Sequence, residues 1–521
     1  MVNSKKREFL LYSIPLLLLL IFFVSKAISL GYSDFASYYF GSKLLLNCDY
    51  KTAYETASLN LYAASLNYQN LFISYTPFPP FTSVFFAPFT YIPIGNSKLL
   101  YNSISCICFL FVLYRSINFF SIKSAFILIV PILFYTPIRS NIFFGQSYLL
   151  LFCMLMEGFI AYKKGQIFLS SSLWGLAILF KIFPIVIFLF LLTKREYKNA
   201  FYLSATCLVL FLFSILIIGI QPWRFYLFEI FPRLNNGELN NSYTYIFQSA
   251  FMLLKNIFIY DEIANPNSIY PNLYLFSFLT VFFKTAILTA AVLLSKKKDI
   301  SDFMNFSIWI MASIIISPNG STYSLILLLI PFIAVIKSDF TDKQKFILAA
   351  ILLLITNLPI HYFSNLPLLL KFPRLYLLIS FFAIIITLIK IRFDYKIAFG
   401  FIFFFLILES PKLFTKTDNS SYYLTSNKYE LIYNYNIENN LLTIDYWSIR
   451  GKQKDTWKFN VKNYTLNGLC IKENQIYFNN INVTSSPDWK RKPILVNNEY
   501  ILYLSDKNRG VGFFTLRKLK I

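Results

Sequence analysis

The sequence is short of acid and all but lacks histidine. Of 521 residues only 25 are Asp or Glu, against 48 Lys and Arg, and His361 is the one histidine. Its six cysteines (Cys48, Cys106, Cys108, Cys153, Cys207 and Cys470) form no CxxC pair. Neither a zinc site nor a disulfide framework is indicated, so no metal or cofactor is expected. Several of these cysteines lie in apolar blocks, where the side chain acts as a small hydrophobe. There is no Walker loop, no Rossmann glycine pattern, no Ser-His-Asp set and no nucleotide-sugar DxD pattern. No internal repeat is visible, which argues against an inverted-repeat transporter.

Charge of any sign is scarce, at 14% of residues, while 57% are hydrophobic. Mean hydropathy is +0.56. The apolar residues come in blocks such as Phe9–Leu30, Phe201–Ile220 and Leu375–Ile389. About 20 apolar residues cross the hydrocarbon core as a helix, so the chain reads as a polytopic α-helical membrane protein. No small-residue cleavage site follows the first block, so it is expected to be an uncleaved span rather than a signal peptide. The formal charge of +23 does not point to nucleic acid, because the cations sit at the ends of apolar blocks. That placement orients spans.

The cationic clusters mark the expected cytoplasmic side. They include Lys5 to Arg7, Arg115 with Lys123, Lys163 with Lys164, Lys194 with Arg195, Lys296 to Lys298, Lys343 with Lys345, and Lys390 with Arg392. An even number of crossings must separate neighbouring clusters. Ile167–Leu192 is therefore expected to be a hairpin of two short helices, with its apex at Lys181-Ile182-Phe183-Pro184. By the same rule the Pro-rich Thr76–Pro93 should dip without crossing. The first outer loop then runs from about Gly31 to Ser97, with interfacial helices over Asp34–Leu46 and Lys51–Leu66. Further spans are expected over 98–112, 124–137, 147–162, 199–220, 271–294, 302–316, 321–336, 345–360, 372–390 and 396–409. The total is about thirteen, with the N-terminus cytoplasmic. A second outer loop, Gln221–Tyr270, carries an amphipathic piece near Tyr245–Ile259. The domain division is 1–410, transmembrane, and 411–521, a small β-rich soluble domain on the extracytoplasmic side. In that tail Glu430–Asn436, Leu441–Trp447 and Gln475–Asn480 read as strands, and Tyr500–Leu504 with Val511–Leu516 as a hairpin.

Ionisable groups at membrane depth or in the outer loops are the informative ones. Asp34 follows the first span closely. A carboxylate there can take a proton from a hydroxyl nucleophile, or serve only as a first-turn acid favoured by the helix dipole. Lys181, at the hairpin apex, can bind a phosphate or snorkel to the surface. Arg139 faces the same region. Lys284 lies inside a span and should be paired or face a cavity; it is a weaker phosphate candidate. Gln146 opens an outward-starting span, where it can bond a sugar hydroxyl or a neighbouring helix. Ser317-Pro318-Asn319-Gly320-Ser321-Thr322-Tyr323 interrupts two spans on the outer side.

Several ordered elements carry a resemblance. Asp34-Phe35-x-x-Tyr38-Tyr39 follows span one, then Asp49-Tyr50, then Tyr75-Thr76-Pro77-Phe78-Pro79-Pro80-Phe81 and Ala87-Pro88-Phe89. Gly145-Gln146, Gly175-Leu176-Ala177-x-x-x-Lys181-x-x-Pro184, and Ser317-Pro318 before Tyr323 complete the series. In this order, over about residues 30–335, the sequence resembles glycosyltransferase family 87, polyprenyl-phosphate-sugar-dependent enzymes of the GT-C class. The resemblance implies a catalytic base in the first outer loop, at Asp34. It implies a lipid-linked hexose donor such as polyprenyl-phosphate mannose, with its phosphate near Lys181; Arg139 and Lys284 are phosphate candidates by position alone. It places Tyr38, Tyr75, Gln146, Asn319 and Tyr323 at the substrate, and makes membrane lipids and a glycan or glycolipid acceptor the partners. Residues 411–521 fall outside the pattern. The competing expectations are a flippase or transporter of lipid-linked glycans and an O-antigen-type polymerase or ligase.

Overall fold

The computed structural model describes residues 2–238, 243–390, 395–413, 421–424, 431–448, 451–459, 461 and 463–521. Two long helices open the chain, α1 (Val2–Ser29) and α6 (Ile94–Phe119). They run antiparallel. At one end the rings of Phe9 and Tyr114 are 4.9 Å apart. At the other, Lys98 Nζ donates to the carbonyls of Ala27 (3.2 Å), Gly31 (2.6 Å) and Phe143 (2.8 Å). Between the two lie α2 (Ser33–Leu46), α3 (Tyr50–Tyr54), α4 (Thr56–Ser65) and α5 (Phe81–Thr90). Helix α5, the Pro-rich stretch, has ten residues. That is about 15 Å, half of a hydrocarbon core, so it does not cross by itself.

One helix expected over Lys51–Leu66 is in fact two. Glu55 interrupts it with extended backbone, φ −85° and ψ 112°. The cause is a long-range partner: the amides of Thr56 and Ala57 donate to the carbonyls of Val511 and Gly512. Those amides are first-turn donors that a helix cannot satisfy internally.

The stretch expected to span over 124–137 is also broken. Helices α7 (Val130–Leu133) and α8 (Tyr135–Phe144) belong to a pair of segments that meet at 70°. Pro137 has no amide to give to the carbonyl four residues back. That carbonyl, Leu133 O, instead accepts Asn357 Nδ2 at 2.9 Å.

Helices α9 (Tyr148–Lys163), α10 (Ile167–Phe180), α11 (Val186–Thr193) and α12 (Tyr197–Ile218) follow. Lys163 and Lys194 both reach the carboxylate of Asp302, at 2.6 and 3.1 Å. Asp302 opens α17 (Asp302–Ile316). So α10 leaves and α11 returns to the same end of the bundle, and Ile167–Leu192 doubles back at Lys181–Pro184. Arg115 pairs with Glu157 at 3.1 Å on that cationic side.

The second outer loop carries α13 (Gln221–Phe225), α14 (Phe231–Asn235) and α15 (Ala250–Phe258). The bundle is completed by α16 (Leu273–Ser295), α18 (Leu329–Lys337), α19 (Asp342–Asn357), α20 (Pro373–Ile389) and α21 (Tyr395–Leu413). Among the described residues four helices are long and apolar enough to cross a membrane, and the bent pair makes five; six more apolar segments have 10–17 residues. The expected count of about thirteen full spans is thus not reproduced. Proline breaks and the hairpin leave many segments shorter than a single crossing requires.

The tail forms three antiparallel sheets. Strands β1 (Ser421–Tyr423), β5 (Tyr464–Thr465), β9 (Lys490–Val496), β10 (Tyr500–Ser505) and β11 (Thr515–Lys520) make a five-stranded one in the order β1-β11-β10-β9-β5. Strands β2 (Leu431–Glu438), β3 (Leu441–Ser448) and β4 (Gly451–Lys458) make the second, and β6 (Leu469–Lys472), β7 (Gln475–Phe478) and β8 (Ile481–Asn482) the third. Four hairpins turn on two residues with positive φ: Asn439-Asn440, Glu473-Asn474, Asn479-Asn480 and Asn497-Asn498. Such paired left-handed residues make the type I′ turn whose twist matches the strands, and asparagine tolerates it.

The tail is clamped to both outer loops. The segment Val511–Leu516, expected as a strand, is strand only from Thr515. Its first residues dock on α4, as above. Arg233 of α14 joins Glu238 (2.8 Å) to the buried Asp506 (3.0 Å). Trp447 Nε1 donates to Leu71 O at 2.8 Å, and Arg491 pairs with Glu55.

Candidate active site

The candidate site forms where α2, the α8–α9 turn and the α10–α11 apex meet. Asp34 stands in the first turn of α2, but its carboxylate is not spent on a helix cap. Its Oδ2 accepts a 2.6 Å hydrogen bond from Gln146 Nε2. Gln146 Oε1 in turn accepts from the Tyr38 hydroxyl at 3.0 Å, which also lies 3.1 Å from Ser147 Oγ. With its carbonyl held by that hydroxyl, the Gln146 amide has only its NH₂ side to offer Asp34. Burial pushes the Asp34 carboxyl above its ordinary value, while the Gln146 bond and the nearby Lys181 and Lys98 ammonium groups pull it back. A carboxylate so placed is a better proton acceptor than an exposed one.

Backbone geometry sets this contact. Gly145 ends α8 in the left-handed conformation, φ +66°. Its amide and that of Gln146 donate to Ile142 O and Asn141 O, the closing bonds of a helix C-terminus. A Cβ on Gly145 would lie 2.6 Å from Cβ of Phe35. Only glycine lets the turn press on α2 closely enough for Gln146 to reach Asp34.

Lys181, the C-cap of α10, has extended backbone. Its ammonium makes no hydrogen bond to any described residue. It sits among three rings, 4.4 Å from the centroid of Phe78, 5.1 Å from Tyr148 and 5.8 Å from Tyr38. Ring faces attract a cation without satisfying its N–H donors, so the donors stay free for an incoming anion. The Phe78 carbonyl is held by the Tyr54 hydroxyl at 2.8 Å, and Tyr38 lies between Phe78 and Phe86 at 4.2 and 4.5 Å.

The loop after α17 closes the other side. Tyr323 has its ring 5.3 Å from Tyr148. Asn141 fixes both: its Nδ2 donates to Tyr323 O at 2.9 Å and its Oδ1 accepts from Tyr148 N at 3.1 Å.

Residues 75–318 match the model of glycosyltransferase family 87. The protein is a membrane glycosyltransferase. No curated protein and no solved structure matches the chain. The matched range takes in the hairpin and Gln146, starts after Asp34 and stops just before Asn319.

Not every residue singled out in the glycosyltransferase's sequence comes to this place. Asp34, Tyr38, Gln146, Lys181 and Tyr323 do. Tyr75 is one layer out, buried with its ring 5.4 Å from Phe78. Asn319 lies in the loop that leads to Tyr323, with its Oδ1 buried and without a hydrogen-bond partner among the described residues. Arg139 is exposed on α8 and stacks over Phe143 at 5.8 Å. Phe143 packs on Phe23 of α1, so Arg139 does not join Lys181. Lys284 pairs with Glu409 of α21 at 3.3 Å. A buried ammonium in a bundle needs its counter-charge, and here the bundle supplies it 125 residues later in sequence. Phe78, Tyr148, Ser147 and Asn141 belong to the site and were not foreseen. Phe78 stands inside the quoted Pro-rich motif, but ring faces as a cation seat leave no mark in a sequence already 20% aromatic.

Proposed function

We propose that the enzyme transfers a hexose, such as mannose, from a polyprenyl-phosphate donor to a glycan or lipid acceptor outside the cytoplasm. Asp34 is the general base. Its one hydrogen-bond partner among the described residues is Gln146, which leaves an oxygen for an acceptor hydroxyl. The acceptor oxygen attacks the anomeric carbon and its proton passes to Asp34. The bond from that carbon to the phosphate oxygen breaks, and its electron pair leaves with polyprenyl phosphate. Lys181 stabilises the charge on the departing phosphate. Attack in line with the leaving group inverts the anomeric centre.

The observation that carries this reading is a carboxylate fixed by an amide beside an ammonium with no hydrogen bond of its own. Carboxylate and ammonium are both spared a helix cap or an ion pair among the described residues, which supports their roles as base and anion seat. The hydrophobic flanks fit a donor that arrives in the bilayer. Replacing Asp34 by Asn keeps the size and the Gln146 contact but removes the base. Membranes supplied with polyprenyl-phosphate hexose should then form no new glycosidic bond. Wild-type turnover by Asp34→Asn would end the assignment.

A further inference from the structure

Lys98 is buried on α6 and has no place in that mechanism. Its charge nevertheless lies near enough to Asp34 to favour the carboxylate. An ammonium has three N–H donors and no acceptor. Lys98 spends all three on backbone, on the carbonyls of Ala27, Gly31 and Phe143. Unlike Lys181, it keeps nothing free for an anion.

The identity of the three acceptors is informative. Ala27 lies in the last turn of α1, and Phe143 in the last turn of α8. The last carbonyls of a helix have no amide within it to accept, and a cation is favoured at that end. One ammonium thus closes two helix ends. Gly31, the third acceptor, stands between α1 and α2, just ahead of the turn that carries Asp34. Phe143 stands just ahead of Gly145 and Gln146. Lys98 therefore joins the backbone on the Asp34 side to the backbone on the Gln146 side, and the 2.6 Å bond between those two side chains spans the same gap. One turn further along α6, on the same face, the buried Asn102 adds a second tie: its Nδ2 donates to Ile142 O at 2.9 Å.

We propose that Lys98 holds Asp34 and Gln146 in register for the proton transfer. It is a positioning residue: it acts through the two segments it joins, without touching the substrate. Asn102 supports it on the α8 side. The inference deepens the reading of Asp34 as base and rests on it.

The test is a double-mutant cycle in membranes carrying the full-length enzyme, read as mannose transferred from decaprenyl-phosphate mannose. Lys98→Met keeps the reach of the side chain and removes its donors. It should lower kcat about thirtyfold and leave donor KM within about twofold. Gln146→Met should lower kcat about tenfold. Both act through one contact, so the double variant should fall no more than about threefold below the poorer single one. A role in stability alone would multiply the two losses, and multiplied losses overturn the proposal. Wild-type kcat in Lys98→Met overturns it too. Should Lys98→Met not fold, Asn102→Leu takes its place in the cycle, with a loss of about tenfold and the same shortfall from multiplication. A second measurement needs no substrate. Asp34→Cys with Gln146→Cys is crosslinked by dibromobimane, and the joined peptides are quantified by mass spectrometry. Adding Lys98→Met should cut the yield about fivefold or more, and an unchanged yield overturns the proposal. Normal turnover by Asp34→Asn refutes the base reading itself, whereas multiplied losses with Asp34→Asn inactive refute only the inference about Lys98. If wild type transfers no mannose, the donor reading fails and the crosslink yield decides whether Lys98 holds the pair.

Discussion

Replacing Gly145 by alanine should separate the catalytic contact from the stability of the fold. Two costs arise at this position. The left-handed backbone, φ +66°, costs a non-glycine residue about 1–2 kcal/mol. The new Cβ would also lie 2.6 Å from Cβ of Phe35, where ordinary contact begins at 3.4 Å. Neither atom can swing away, since Phe35 is fully buried and both sit at the root of a side chain. The α8–α9 turn and α2 must therefore part by about 0.8 Å, and Gln146 and Asp34 lie on the two sides of that gap. A misplacement of about 1 Å in a reacting constellation costs about a hundredfold in rate, or roughly 2.7 kcal/mol in activation free energy. Gly165 provides the control. Its φ is +70°, and a Cβ there meets nothing within 4 Å. Gly165→Ala should bear the backbone cost alone, losing about 1 kcal/mol of stability and no activity. The assay is hexose transfer from polyprenyl-phosphate hexose in proteoliposomes, with thermal unfolding of each variant alongside. Equal kcat in Gly145→Ala and Gly165→Ala would refute the argument that the close approach at Phe35 sets the site.

Three further outcomes are expected. Tyr38→Phe leaves the ring stack and removes the hydroxyl that orients Gln146, so kcat should fall about tenfold, roughly 1.4 kcal/mol, with donor KM unchanged. Burial raises the Glu55 carboxyl to about 7 against the pull of Arg491. Because the folded value is the higher one, the stabilisation is complete below pH 4.5 and is lost as pH rises through about 7, roughly 3 kcal/mol in all. Thermal unfolding of Glu55→Gln should lack this slope, and an unchanged pH profile would count against it. Glu409→Leu should destabilise the bundle by about 3 kcal/mol while Lys284→Met with Glu409→Leu recovers most of the loss. Decaprenyl phosphate affinity in that double variant should equal wild type, since Lys284 serves α21 and not the donor.

The parts of this structure that were legible in sequence obey local rules. Hydrophobic runs gave α1, α6, α12 and α16. Charge bookkeeping found the turn-back at Lys181–Pro184, because Lys163 and Lys194 had to share a side, and Asp302 now holds both. The paired asparagines of the β-hairpins could have been read too, since left-handed turns favour that residue. What escaped the reading depends on partners far along the chain. The kink at Pro137 was written in the residue itself, but its rescue by Asn357 was not. The break at Glu55 and the fate of Val511–Phe514 are two halves of one contact. Lys284 was rightly suspected of needing a partner, yet nothing near it in sequence named Glu409. Asp34 and Gln146 were each found by position, and only the left-handed turn at Gly145 shows why they meet.

The bond between Thr56 and Val511 joins residues 455 apart in sequence. At usual synthesis rates roughly half a minute to a minute and a half passes between their emergence. During that interval the first-turn amides of Thr56 and Ala57 lack the carbonyls that later accept them, while α3 is already capped by Asp49. The tail's clamp on the first outer loop therefore forms last, after α2, the α8–α9 turn and the α10–α11 apex have all been made. A chain cut short before residue 506 would keep every bundle helix and lose the carbonyls of Val511 and Gly512 that hold the first turn of α4.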